Sequence, residues 1–230
     1  MKTVAFIFAR GGSKGLVGKN IKLLNGKPLL QYSIDIAKSI SQISDIFVST
    51  DCPEIASVAK QDGVRIIHRP KELAKDSSPE FLAWKHACDF VKSNYGSFDY
   101  FVSLPTTSPL RSADDVVSAL QKLEQTSADI CISVTPASRS PYFNMIEQHD
   151  DGLVNLVIKS DLGDIIRRQD VPTVFDITTV VYAADVSFIE KESSIFSGNV
   201  VAIEVPKKRA VDIDDIYDFK FAEVLLKNGS

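Results

Sequence analysis

One stretch at the start of the chain limits its fold more than any other. The apolar run Thr3-Val4-Ala5-Phe6-Ile7-Phe8-Ala9 leads directly into Arg10-Gly11-Gly12-Ser13-Lys14-Gly15-Leu16-Val17-Gly18-Lys19-Asn20. A buried strand therefore ends in a loop of four glycines and three cations. Glycines let backbone N–H groups close around an anion, and Arg10, Lys14 and Lys19 add charge that a polyphosphate neutralises. The loop points to a nucleotide enzyme.

Stricter motifs do not fit here. The Walker pattern G-x-x-x-x-G-K-[ST] fails twice, because Ser13 stands where its first glycine belongs and Asn20 where its hydroxyl belongs. G-x-G-x-x-G fails because no two of these glycines are separated by one residue. Gly11-Gly12-Ser13-Lys14-Gly15 does satisfy the G-x-S-x-G of a hydrolase elbow. That reading leaves the flanking cations without a task, and a plain solvated turn leaves them equally unexplained.

Downstream, apolar runs alternate with helical periodicities. Strands are expected near 3–9, 46–50, 64–67, 100–104 and 129–135, and helices near 28–40, 53–62, 79–93 and 113–125. Asp51, Ser78 and Ser112 each precede a helix start and offer an N-cap. Such alternation predicts an α/β fold, Rossmann-like and doubly wound, with a mainly parallel sheet under helices on both faces. Ligands of such sheets sit at strand carboxyl ends, where the first loop emerges. Residues 137–170 break the pattern with a polar, irregular stretch that reads as an inserted arm. Apolar segments near 174–184 and 199–205 then resume the core, and a helix near 214–227 closes it. The 230 residues make a single domain, 1–230, with that arm near 137–170.

Composition narrows the partners. A net charge of −4 gives no basic excess for nucleic acid. Cys52, Cys88 and Cys131 are too few and too scattered for a disulfide framework, no run approaches a membrane span, and no signal peptide is expected, so the cytoplasm is the expected compartment. His68, His86 and His149 lack metal-ligand spacing.

Three further stretches carry chemistry. In Asp212-Ile213-Asp214-Asp215, carboxylates one residue apart suit a hard cation such as Mg²⁺ on extended backbone, while Asp212 as a cap of the last helix is an equal alternative. Thr106-Thr107-Ser108-Pro109-Leu110-Arg111 follows a strand and offers hydroxyls and a guanidinium to a polar ligand, or else a turn into the next helix. Arg167-Arg168 suits a carboxylate or phosphate clamp, or a solvated surface pair.

Taken together, Arg10 to Asn20, Ser49-Thr50-Asp51, Arg69-Pro70, Thr107 to Arg111, Arg167-Arg168-Gln169-Asp170 and Asp212-Ile213-Asp214 resemble, in order and spacing, the acylneuraminate cytidylyltransferases (CMP-sialic acid synthetases). The resemblance spans nearly the whole chain. It implies a reaction of CTP with an eight- or nine-carbon 2-keto sugar acid, giving the CMP-sugar and pyrophosphate. It implies Arg10, Lys14 and Lys19 on the triphosphate, with Ala9, Gly11, Gly12, Ser13 and Asn20 in the same nucleotide loop. Arg69, Ser77 and Ser78 would lie near the cytidine. Asp212 and Asp214 would hold Mg²⁺, and Thr107, Ser108, Arg111, Arg167, Arg168 and Gln169 would face the sugar acid. It also implies that the insert is a dimerisation arm lending residues to the partner's site in a homodimer. Asp212 and a metal-bound hydroxide remain the options for a general base. Neither nucleic acid nor a membrane is an expected partner.

Two departures fall on the acceptor side. Pro105-Thr106 stands where the family reads Gln-Pro, and Thr178-Thr179-Val180-Val181-Tyr182 where it reads Asn-Gly-Ala-Ile-Tyr. The nucleotidyl-transfer residues match, while the acceptor is as well read as legionaminate, pseudaminate or another modified nonulosonate as N-acetylneuraminate.

Overall fold

The N-terminal apolar run forms an interior strand, and its side chains explain why no polar residue interrupts it. Ala5, Ile7 and Ala9 point into one core cluster, and Val4 and Phe6 into another on the opposite face. A strand buried on both faces has no solvent side to mark with polar residues.

The computed structural model describes residues 1–159 and 171–228. In chain order the elements are β1 (Thr3–Phe8), β2 (Leu23–Leu24), β3 (Lys27–Pro28), α1 (Leu29–Ser39), β4 (Ile43–Thr50), α2 (Pro53–Gln61), β5 (Arg65–His68), α3 (Glu80–Tyr95), β6 (Tyr100–Ser103), α4 (Ala113–Glu124), β7 (Ile130–Pro136), β8 (Ile146–Gln148), β9 (Val154–Leu156), β10 (Phe175–Asp185), α5 (Val186–Lys191), β11 (Val200–Glu204) and α6 (Ile216–Lys227). Each expected strand and helix is present, with ends displaced by a few residues.

Seven strands form one sheet in the order β11-β7-β10-β6-β1-β4-β5. Every neighbouring pair is parallel except the two made by β10. The chain steps outward from β1 through β4 to β5, then returns to β6 on the other side of β1. The order therefore reverses between β1 and β6, whose carboxyl ends flank the crevice where such sheets bind ligands.

Helices α1, α2 and α4 bury Leu30, Ile34, Ile55, Ala59, Val116 and Leu120 against one sheet face. Helices α3 and α5 cover the other with Phe81, Trp84, Val91, Phe188 and Ile189. That second face is aromatic. Phe6 stacks on Phe101 at 4.9 Å between centroids, and Trp84 lies 5.1 Å from Phe101 and 5.3 Å from Tyr182. Aromatic pairs in this range add about 0.5–1.5 kcal/mol beyond their buried area. The three cysteines are free thiols.

Some local expectations are corrected. Of the three proposed caps only Ser112 works, in a capping box with Asp115. Cys52 and Pro79 hold the other two N-cap positions, without side-chain cap bonds. The Asp51 carboxylate has a different partner, described below. A small hairpin, β2–β3, turns on Asn25 and Gly26, both with positive φ. The described part of the insert is less irregular than its composition implies, since β8 and β9 pair as a hairpin. That hairpin exposes Ile146, Leu153, Val154 and Leu156, and the stretch just before it exposes Phe143 and Met145. No helix among the described residues is long and apolar enough to cross a membrane.

Candidate active site

The loop after β1 is shaped by contacts that only a folded chain can supply. Ala9 is buried and its N–H donates to the Ser49 carbonyl at 3.0 Å, which extends β1 towards the loop. The Gly11 N–H donates to Asp51 Oδ1 at 2.9 Å. A Cβ on Gly11 would stand 2.9 Å from the Cys52 Cβ, so the loop passes too close to β4's end for a side chain. Ser13 N–H donates to the Gly11 carbonyl at 3.1 Å. Among the described residues, the amides of Gly12, Lys14 and Gly15 have no hydrogen-bond partner. Unpaired amides of one short loop beside cations offer donors to an anion.

The far end of the loop is locked. Asn20 is buried, donates through Nδ2 to the Arg10 carbonyl at 2.9 Å and accepts from Thr106 Oγ1 at 2.5 Å. Lys19 is also buried, and its Nζ donates to the Ile213 carbonyl at 2.5 Å while lying 3.4 Å from Asp214 Oδ1. Gly15 makes the closest approach, because a Cβ there would sit 2.3 Å from the Asp214 carbonyl oxygen. Two segments about 200 residues apart thus meet through backbone.

The carboxylates of 212–215 have separate fates. Asp212 Oδ1 is buried without a hydrogen-bond partner. The Asp214 side chain is 80% exposed. Asp215, rather than Asp212, caps α6, accepting from the N–H groups of Tyr217 and Asp218 in a capping box. Asp212 borders a cavity of about 550 Å³, which Thr135, Thr178, Lys208, Val211 and Phe221 also line. Thr135 Oγ1 is a second buried oxygen without a partner. Among the described residues, no three His, Cys, Asp or Glu side chains gather into a ready-made metal site.

Beside the loop lies a smaller cavity of about 240 Å³, lined by Phe8, Arg10, Arg69, Asp76, Ser78 and Glu80 among others. Arg69 is buried, donates to Ser49 Oγ at 3.2 Å and to the Ser49 carbonyl at 2.9 Å, and stacks over Phe8 at 5.4 Å. Burial pushes its guanidinium down from the ordinary range, opposed by the Asp51 charge. Ser78 faces this cavity, whereas Ser77 is exposed beside it.

A family model described as Cytidylyltransferase matches residues 4–222. The chain belongs to the cytidylyltransferase family. It is similar to the post-translational flagellin modification protein B of Campylobacter coli, at 34% identity over 96% of this chain and 93% of that one. It is also similar to the CMP-N,N'-diacetyllegionaminic acid synthase of Campylobacter jejuni, at 32% identity over 97% and 95%. In fold it matches the solved structure of a CMP:2-keto-3-deoxy-manno-octonic acid synthetase with CTP, with a TM-score of 0.74 at 16% identity over 99% of each chain.

In this cytidylyltransferase the residues expected on the acceptor side divide. Thr107 is half-buried, with its hydroxyl 3.1 Å from that of Thr179. Ser108 is fully buried and its hydroxyl lies 2.7 Å from the same Thr179 oxygen. Arg111 is buried to 4% exposure and donates to the carbonyls of Val180 at 2.6 Å and Pro105, and to Ser33 Oγ at 2.7 Å. Burial pushes this guanidinium down as well. Ser108 and Arg111, both expected on the sugar acid, are buried and stitch the loop after β6 to β10. Arg167, Arg168 and Gln169 lie outside the described residues.

The contacts of three site-shaping residues were not legible in the sequence. Asp51 and Asp76 were a cap candidate and an unremarked acid, yet each binds the first loop. Arg209 is the third; it grips Asp115 at 2.8 and 3.0 Å and ties the β11–α6 connection to the start of α4. Burial works against the Asp115 charge, but hydrogen bonds from Arg209 and Ser112 hold its carboxyl below the usual range. No local motif marks these pairs.

Proposed function

We propose that this cytidylyltransferase joins CTP to a nonulosonic, sialic-acid-like 2-keto sugar acid, releasing pyrophosphate. One observation carries the reading: the cationic loop and the Asp212–Asp215 segment are locked together through Gly15 and Lys19. Polyphosphate-binding cations and hard-cation ligands are thus presented at one place. The N,N'-diacetyllegionaminic acid named for one relative supports a modified nonulosonate as acceptor, as do the two acceptor-side departures from the sialic acid pattern.

The donor set suits Mg²⁺. Asp212 brings a buried carboxylate oxygen with no partner, and Asp214 an exposed carboxylate. Mg²⁺ is commonly held by one or two carboxylates with substrate phosphates and water completing the shell, so the absence of a third protein ligand is no obstacle. Bound there, it would neutralise charge on the phosphate oxygens.

The chain's own residues position and neutralise. Unpaired amides of Gly12, Lys14 and Gly15 and the cations Arg10 and Lys14 receive the β- and γ-phosphates. The cytidine enters the cavity between Phe8, Arg69 and Ser78. The acceptor lies beside Asp212, in the cavity that also holds Lys208 and Thr178. The sugar's anomeric oxygen attacks the α-phosphorus in line, the bond to pyrophosphate breaks, and the hydroxyl proton is lost to base. Charge grows on phosphate oxygens throughout, so positioning and electrostatics supply most of the acceleration.

The arm completes the proposed site. Its hairpin exposes apolar side chains that a second copy covers in a homodimer. The testing experiment incubates the protein with each of four nucleoside triphosphates, Mg²⁺ and a panel of nonulosonates, and measures pyrophosphate. Release with CTP and one or more nonulosonates is expected; release with GTP alone, or with no sugar acid, refutes the reading. Light scattering on the intact protein should give a dimer, and a fully active monomer would remove the arm's role.

A further inference from the structure

The half-buried Arg10 and the exposed Lys14 of the first loop already share an anion. Asp76, between β5 and α3, places one carboxylate oxygen on each: Oδ1 is 2.5 Å from Arg10 Nη1, and Oδ2 is 2.5 Å from Lys14 Nζ. Those hydrogen bonds, Lys14's first and then Arg10's, hold the Asp76 carboxyl below its usual range. A carboxylate bridging two cations with separate oxygens occupies the positions that two phosphate oxygens would take. Asp76 also lines the cavity that Arg10, Arg69 and Ser78 share. The exchange is accessible, because the Lys14 side chain is 83% exposed and that of Asp76 39%.

We infer that Asp76 is an internal counter-anion that competes with the nucleotide's polyphosphate for Arg10 and Lys14, and whose return to them promotes release of pyrophosphate. The inference rests on the reading of residues 10–20 as the polyphosphate loop. A negative side chain that stays beside an arriving polyphosphate repels it, and one that lets go must first give up two ion pairs. Either way Asp76 lowers affinity for both CTP and pyrophosphate. What it provides is turnover, since a loop left with two uncompensated cations would hold the product. Product release limits many well-evolved enzymes.

The alternative is that Asp76 merely steadies the loop, and the two roles predict opposite signs. With Asp76→Asn, inorganic pyrophosphate binding measured by calorimetry should tighten about three- to tenfold, the scale of two exposed ion pairs. The KM for CTP should fall in parallel and kcat should not rise. Asp76→Glu, which keeps the charge, should bind as the wild type does. The difference between Asn and wild type should shrink near 1 M salt, where the screening length is about 3 Å. Equal or weaker pyrophosphate binding by a folded Asp76→Asn protein overturns the inference and leaves the loop reading intact. A wild-type protein that binds neither CTP nor pyrophosphate defeats both.

Discussion

The loops that follow β1 and β6 begin alike and end differently. Both leave the carboxyl ends of adjacent parallel strands, and both pair an arginine with small or hydroxyl residues. After β1, Lys14 stands in solvent, Arg10 meets only a partly exposed carboxylate and a carbonyl, and three amides are unpaired. After β6, Ser108 and Arg111 are buried and spend their polar atoms on Thr179, Val180, Pro105 and Ser33. One loop has hydrogen-bonding capacity left over for a ligand, and the other has consumed it on the scaffold. Residue type nominates a site, but unspent capacity is what distinguishes a site from a brace.

The largest expected effect tests that division directly. Arg111→Ala removes the donor to the Val180, Thr179 and Pro105 carbonyls and to the Ser33 hydroxyl; Ser33 and Pro105 still pair with each other, while the carbonyls on β10 lose this side-chain donor. Each buried acceptor left without a donor in this way costs about 1–3 kcal/mol. The variant should be poorly soluble or melt well below the wild type, and Arg111→Lys should not restore it, because an ammonium cannot span the same acceptors. A variant with an unchanged Tm and a raised KM for the sugar acid alone would return Arg111 to the ligand.

Glycines of the first loop sharpen the other half. Gly15→Ala drives a methyl into the Asp214 carbonyl, whereas Gly12→Ala meets nothing within 4 Å. Since misplacement by about 1 Å can cost a hundredfold in rate, Gly15→Ala should lower turnover by about that factor and Gly12→Ala by only a few-fold. Equal effects would show that the junction with the Asp212–Asp215 segment does not set the loop's geometry. Lys14→Ala comes next in size. Its side chain supports no core, so turnover should fall more than about tenfold with no change in Tm, as loss of one charge-assisted contact to a polyphosphate implies. Unchanged kinetics would detach the loop from the triphosphate.

The same contrast explains what the sequence made legible. Periodicity located the sheet strands and the five longer helices, because both faces of the sheet are buried and the pattern is local. Glycines and cations in one short loop disclosed the nucleotide side. Asn25-Gly26 is itself a local hairpin signal, and β2–β3 turns on it. What stayed hidden depends on partners far along the chain. Lys19 meets a carbonyl 194 residues away, and Arg209 meets an aspartate 94 residues away. Arg10 and Arg111 are indistinguishable as letters, and only the tertiary fold decides which of them keeps a free face. Asp51 looked like a helix cap because it precedes one, yet its carboxylate is drawn to the Gly11 amide across the strand ends.

The smallest effects separate two neighbouring carboxylates. Asp215 accepts two backbone N–H bonds at the start of α6, so Asp215→Asn should change little and Asp215→Ala should cost about 1 kcal/mol of stability, the usual worth of an N-cap. Neither should change the Mg²⁺ concentration that gives half-maximal rate. Asp214→Asn should do the reverse, leaving the Tm near that of the wild type because its side chain is 80% exposed, and raising the Mg²⁺ requirement several-fold because an amide binds a hard dication more weakly than a carboxylate. Thermal melts and Mg²⁺ titrations on the three variants separate the roles. If Asp215→Asn proves the metal-sensitive change, the register of the ligand pair is displaced by one residue. Asp214 would then serve only to hold Lys19 in place.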